Sequence, residues 1–444
     1  MRRRPPGALP QGEPVLADPP CGAAGHEGSG GPVPTCRPVG TDTPAEQPSA
    51  TRPRLHRDAL TATGYVFLST WGWFLYAFGV LVPLLREAQG TSRAVGALHS
   101  TALATGSLVA GFAATALVRR LHRRGTAFLA AGLVAAGLCP LLVGTPTWLT
   151  LTATLITGTG GAILVNTTTP FLLEHHGPAG PAAISEGNAA ASALALLAPL
   201  TVGVGIGAGM TWRPAFLAVP VFLGLGLLVL RRVPRGTPAV DAQAPVTTAG
   251  SGSRLPHAFW PPAVVVVLCL GVEFSVATWS ADLLRQRTGL GAGGATAAVS
   301  IVVGGMMIGR LIVGRLTLLL PIRTLVIGSV LLAGVGWAIT WTATGPAQAL
   351  TGLAVTGLGI AGHYPLGMSL ALAGAPGQGD RATGTVSIAA AFSVGSAPFA
   401  LGALADATDI RTAFLVVPLL LLITLLVLLV NHRTGTPTDP RTGV

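Results

Sequence analysis

The sequence predicts an all-α integral membrane protein with twelve transmembrane helices in two pseudo-repeated six-helix bundles. Three observations carry that prediction. Of the 444 residues, 50% are hydrophobic and only 10% charged, against about a quarter charged in a soluble domain. Apolar runs of roughly twenty residues, the length that crosses a bilayer as helix, recur along most of the chain. A four-residue pattern in the first half of the chain also returns in the second.

The elements follow in order. Residues 1–55 hold 12 prolines and 8 glycines without apolar periodicity; such a segment cannot bury enough surface to offset its ordering entropy and is expected to be a disordered tail. Residues 56–231 form the first bundle, with apolar segments at about 60–85, 94–118, 126–145, 148–172, 183–208 and 213–231. Residues 232–259 are rich in Pro, Gly, Ser and Thr and read as a flexible linker. The second bundle, 260–432, has segments at about 260–284, 295–318, 322–343, 346–374, 383–404 and 411–430, and a short tail, 433–444, follows.

Charge sets the expected orientation. All 27 basic residues are arginines. With the N-terminus inside, 16 fall in inner segments and 6 (Arg86, Arg93, Arg213, Arg285, Arg287, Arg411) in outer ones. Arginines collect on the cytoplasmic side of membrane proteins, so both termini are expected to be cytoplasmic in a multi-pass protein of the plasma membrane. The arginines form no basic stripe with exposed aromatics, which argues against nucleic acid despite the net charge of +11.

The repeat joins Thr157-Gly158-Thr159-Gly160 in the fourth segment to Thr356-Gly357-Leu358-Gly359 in the tenth, 199 residues later. The same offset carries Ala198-Pro199 and Gly203 onto Ala397-Pro398 and Gly402. Duplicated six-helix halves are a transporter architecture with the substrate site between them.

Two stretches resemble a known family. Thr115 to Arg124, TALVRRLHRR, is similar to the loop G-x-x-x-D-R/K-x-G-R-K/R between the second and third helices of the major facilitator superfamily. Arg119 stands at its aspartate and His122 at its second glycine, while Arg120, Arg123 and Arg124 keep its basic character. The second-half counterpart runs from Gly309-Arg310 to Gly314-Arg315. The resemblance implies that Arg119, Arg120, Arg123, Arg124, Arg310 and Arg315 sit at a cytoplasmic gate. GVEFSVATW, residues 271–279, resembles the seventh helix of fucose-permease-like sugar:proton symporters, although the acids those symporters carry in helices one and four are absent here.

Among intramembrane polar residues, Glu273 stands out. It lies near the centre of the seventh segment, where an ionisable group normally faces a partner or a wet cavity, and it is the candidate proton-coupling residue; a structural carboxyl is the alternative. Arg310 is its natural partner. Trp71, Trp73 and Tyr76 offer rings for stacking on a substrate, and Asn166 offers an amide. His99, His363 and Tyr364 complete the substrate-binding candidates, with helix packing as the alternative role for each. His363-Tyr364-Pro365 is expected to break the tenth helix. Glu186 is expected to serve the N-terminus of the fifth, and Asp406 to lie in a solvated turn.

These features predict a secondary transporter that moves a small organic solute by alternating access, coupled to protons, working as a monomer in the lipid bilayer. Export of a drug or metabolite by proton antiport is the alternative within that class. A polytopic enzyme or non-transporting sensor is more remote, since no clustered catalytic residues and no large loop other than the linker appear. No cofactor or metal is expected: Cys21, Cys36, Cys139 and Cys269 show no ligand spacing, and no GxxxxGK[ST] phosphate loop is present.

Overall fold

A computed structural model describes residues 55–144, 146–234, 237 and 254–430. The expected N-terminal tail up to residue 54, most of the linker and the 433–444 tail lie outside these residues. The first two helices begin at side-chain caps. The Asp58 carboxylate accepts from the Thr61 backbone N–H at 2.8 Å and opens α1, Ala59–Gln89. Gly90, at φ 63°, closes it in a left-handed conformation that glycine adopts without strain. Ser92 opens α2, Arg93–Val143. The first half continues with α3, Thr147–His176, α4, Gly180–Gly207, and the pair α5, Arg213–Phe216, and α6, Ala218–Arg232.

The second half runs through α7, Trp260–Arg287, α8, Ala292–Leu316, and α9, Ile322–Trp341. Then come α10, Pro346–Ile360, α11, His363–Ala373, α12, Gly379–Ala407, α13, Ile410–Ala413, and α14, Val416–Val430. Among the described residues there is no strand. Among the described residues, ten stretches are long and apolar enough to cross a membrane. The difference from twelve arises in two places. Predicted segments 94–118 and 126–145 share α2, and segment 346–374 is divided between α10 and α11.

Helix α2 is not one straight rod. Its 51 residues would reach about 77 Å at 1.5 Å per residue, over twice a bilayer core of about 30 Å. A Cβ on Gly106 would stand 2.3 Å from the Leu155 carbonyl, and one on Gly137 2.3 Å from the Thr157 hydroxyl. Both arms therefore meet the same turn of α3, which requires the chain to reverse between them. The break is at His122, whose φ of 57° and ψ of 172° are non-helical.

The second half repeats these contacts at the same offset. A Cβ on Gly305 would stand 2.6 Å from the Ala354 carbonyl, and one on Gly336 2.6 Å from the Thr356 hydroxyl. Each glycine pair thus marks the same helix crossing, built twice. The halves meet through equivalent glycines as well. Gly203 of α4 packs on Gly293 of α8, and Gly402 of α12 packs on the backbone of Arg93 at the start of α2. Helices α1 and α7 also pack against each other.

The outside of the helices is apolar. Phe112, Trp148, Leu311 and Phe392 are each at least 70% exposed, an arrangement that water disfavours and lipid accepts.

Candidate functional site

The start of α1, the end of α6 and the start of α7 share one face of the molecule, called here the near face; α1 ends at the opposite, far face. A cavity of about 690 Å³ lies between the halves. It is lined by the near-side stretches of α1, α4, α8 and α11, and follows α8 down to Thr317, just past the helix end, so it opens toward the near face. Toward the far face the two central helices seal. Val80, Leu81, Val82 and Leu85 of α1, with Trp279, Ser280, Leu283 and Leu284 of α7, are at most 2% exposed.

Tyr76 joins the halves in the middle. Tyr76 lines the cavity, and its hydroxyl donates to Glu273 Oε1 at 3.0 Å, with the Met306 sulfur at 3.8 Å. Glu273 itself is 7% exposed and lies behind Tyr76 rather than in the cavity wall. The charge of Arg310 reaches both groups. Arg310 lines the cavity from α8, and its guanidinium donates to Ser192 Oγ of α4 at 3.3 Å, across the two halves. Among the described residues Arg310 has no carboxylate within ion-pair distance.

Of the other candidates, Trp71 and Tyr364 line the same cavity. Trp73 does not. It lies two residues from Trp71, about 200° around the helix, and its indole N–H donates to the Ala215 carbonyl at 3.0 Å beside Phe222. His99 is also placed elsewhere: it is fully buried between the Gly96 carbonyl, at 2.9 Å, and the Thr150 hydroxyl, at 2.8 Å. Asn166 is exposed but outside the cavity wall, about 100° around the helix from its neighbour Val165, which does line it. His363 opens α11 after the predicted helix break and is fully buried, away from the cavity.

The gate candidates of the first half stay within that half. Arg123 pairs with Glu174 at 2.5 Å and lies over the Phe171 ring. Arg124 donates to the carbonyls of Leu230, Val233 and Pro234 at the end of α6. Arg119 and Arg120 are exposed, as is Arg315. Glu186 lies in the second turn of α4 rather than at its start and binds Arg57, at 2.5 Å, and the Tyr65 hydroxyl, at 3.1 Å. Asp58 faces His175 at 2.7 Å. Partial burial pushes the Asp58 carboxyl up, but hydrogen bonds from Thr61 and His175 outweigh it and hold the group down at about 2. Every one of these near-face ion pairs belongs to the first half alone.

The far face differs, and here the sequence reading missed the residues that join the two halves. Asp282 of α7 is 4% exposed and accepts from Arg86 of α1 and Arg93 of α2, each at 3.3 Å. Arg285 of α7 pairs with Glu87 of α1. Asp406 is exposed and sits in the last turn of α12. Its two oxygens accept the backbone N–H groups of Arg93, at 2.9 Å, and Ala94, at 2.8 Å, so a carboxylate from the second half caps the N-terminus of α2. Asp282 carried one signal in the sequence: an acid near the end of an apolar helix, three residues before Arg285.

The sequence profile described as Major Facilitator Superfamily matches residues 63–379. The chain belongs to the major facilitator superfamily. Solved structures agree on the fold. A peptide transporter, POT, in complex with alafosfalin superposes with a TM-score of 0.71 at 15% identity, over 86% of this chain and 97% of that one. The nucleoside transporter NupG gives 0.67 at 12% identity, over 84% and 98%. The Escherichia coli fucose:proton symporter FucP gives 0.58 at 17% identity, over 85% and 98%. No curated protein sequence matches significantly. Membership of this superfamily makes the chain a multi-pass membrane protein and a secondary transporter, not an enzyme. Among the described residues no three side chains gather as metal ligands.

Proposed function

We propose that the protein is a monomeric, proton-coupled transporter of a small organic solute in the plasma membrane, with both termini cytoplasmic and Glu273 as the group that takes up and releases the proton. One observation carries this reading: the only carboxylate at the centre of the central helices is hydrogen-bonded through Tyr76 to a cavity between the two halves. A carboxyl so placed changes its surroundings whenever the halves rock, and a change of surroundings changes its proton affinity. The arginine-rich near face supports a cytoplasmic assignment for that side. Trp71, Tyr364 and Ser192 are the wall groups available to a solute. Arg310 and Arg315, in the second-half copy of the gate loop, lie where the near face must close.

A thermal-shift screen of the purified protein against sugars, amino acids, organic acids and drugs supplies a transported candidate. In proteoliposomes with an imposed pH gradient, Glu273→Gln then abolishes gradient-driven accumulation of that solute while counterflow exchange persists. Undiminished accumulation in the variant would sink the assignment.

A further inference from the structure

The cavity that the proposed transport function uses also carries a statement about what it holds. Its wall contains one formal charge, Arg310, and no carboxylate, because Glu273 sits behind Tyr76. The rest is largely apolar and soft: Trp71, Leu366 and the methionines Met306, Met307 and Met368, with Asn188 and Ser192 among its neutral polar groups and Ser192 beside the Arg310 guanidinium. Thioethers adapt to varied apolar shapes.

An arginine without an anion is tolerable while the cavity is open to water at the near face. Alternating access requires the cavity to close around its load, and a lone cation in a closed intramembrane chamber is costly. Two arrangements remove that cost. In the empty protein, the ionised Glu273 and Arg310 balance one another within the second half. In the loaded protein, a bound monoanion balances Arg310, and Glu273 must then be neutral, holding a proton.

Half-loaded forms carry net charge. The anion alone, beside an ionised Glu273, leaves one negative charge, and the proton alone leaves one positive charge. The titratable groups around Glu273 are Tyr76 on α1, Arg310 on α8 and Cys269 one turn away on its own helix, with buried His363 of α11 against the Cys269 backbone; Arg310 is the one fixed cation among them. Anion and proton therefore promote each other's binding, and by linkage the effect is reciprocal.

We infer that the site takes a small organic monocarboxylate with an apolar body, its carboxylate on Arg310 and Ser192 and its body against Trp71 and the methionines, and that one proton binds Glu273 with it. The proton comes from cavity water and returns to water on release, so each cycle moves no net charge. A sugar or peptide without net negative charge would leave Arg310 unmatched, and a cation would oppose it.

The test is binding by calorimetry with the purified full chain. The probes are acetate, benzoate and 3-phenylpropionate, each beside its amide, with 3-phenylpropylammonium as the opposite charge. At least one carboxylate should bind tenfold or more tightly than its amide, with the apolar bodies favoured. Titration in two buffers of different ionisation enthalpy should show uptake of about one proton per site. Arg310→Gln should bring carboxylate and amide within about twofold of one another, while Arg310→Lys keeps the preference and reports that the chamber still folds. Glu273→Gln should abolish the proton uptake.

If no carboxylate exceeds its amide, or the preference survives Arg310→Gln, the substrate class is overturned. Binding without proton uptake overturns the co-binding. None of these measurements uses flux, so their failure leaves the transport reading standing. Arginine-dependent binding with no flux in proteoliposomes would instead overturn the transport reading and leave the site.

Discussion

The two faces of the molecule use the same residue types for different ends. On the near face, Arg57–Glu186, Arg123–Glu174 and Asp58–His175 are all formed within the first half. On the far face, Arg86–Asp282, Arg93–Asp282, Arg93–Asp406 and Glu87–Arg285 all cross from one half to the other. The cavity lies on the side where no ion pair crosses, among the described residues. Charge on the near face holds one bundle together; charge on the far face holds two bundles against each other. The expected consequence is a division of labour: far-face changes alter which side is open, and near-face changes alter how well a half is folded.

Asp282 is the strongest test of this division. Removing one partner from a buried ion pair costs about 3–5 kcal/mol. Arg86 and Arg93 keep 16% and 19% exposure, so water recovers part of the loss, and about 2–3 kcal/mol is expected. That cost falls on the far-closed state alone. Spin labels placed at Gly209 and Thr408, one on each half at the far face, should report a longer-distance population in Asp282→Asn that the parent lacks. An unchanged distance distribution with a lowered melting temperature would assign Asp282 to folding instead.

The comparison also shows what a sequence makes visible. The helical membrane fold and the repeat were legible because they rest on local quantities: apolar run length and glycine spacing. The repeat proved to be a repeat of helix crossings, with Gly106 and Gly137 matched by Gly305 and Gly336. Glu273 was legible because an acid in mid-helix is costly wherever it faces. Asp282 and Asp406 were not, since an acid near a helix end is ordinary until the partner's position is known. Trp71 and Trp73 were indistinguishable in composition, and only the 200° between them sends one to the cavity and the other to α6.

A second test separates the halves from their interface by the same substitution at two glycines. A Cβ on Gly203 would stand 2.5 Å from the Gly293 carbonyl, across the halves, and one on Gly137 2.3 Å from Thr157, within a half. Overpacking of this kind costs about 1–3 kcal/mol. Gly203→Ala should open the far face in the spin-label measurement with little loss of thermal stability. Gly137→Ala should lower the melting temperature and leave the distance distribution alone. Similar behaviour of the two variants would erase the distinction between interface and fold.

The smallest expected effect is a gain. His122 turns the chain between the two arms of α2 at φ 57° and ψ 172°, a region that is essentially glycine's and costs other residues about 1–3 kcal/mol. It stands at the position where the resembling family loop has its second glycine, which gives that glycine a backbone reason. The Thr126 hydroxyl donates to the His122 carbonyl at 2.8 Å, and this bond uses only the backbone of residue 122, so glycine would keep it. Glycine also widens the unfolded ensemble, which returns up to about 1 kcal/mol of the relief. A net stabilisation of about 1 kcal/mol is therefore expected for His122→Gly, read as a raised melting temperature in detergent. Both arms of α2 belong to the first half, so the spin-label distances across the far face should not move. A lowered melting temperature would show that the imidazole makes a compensating contact, and a shift in the far-face distances would show that the near-face turn reports to the interface after all.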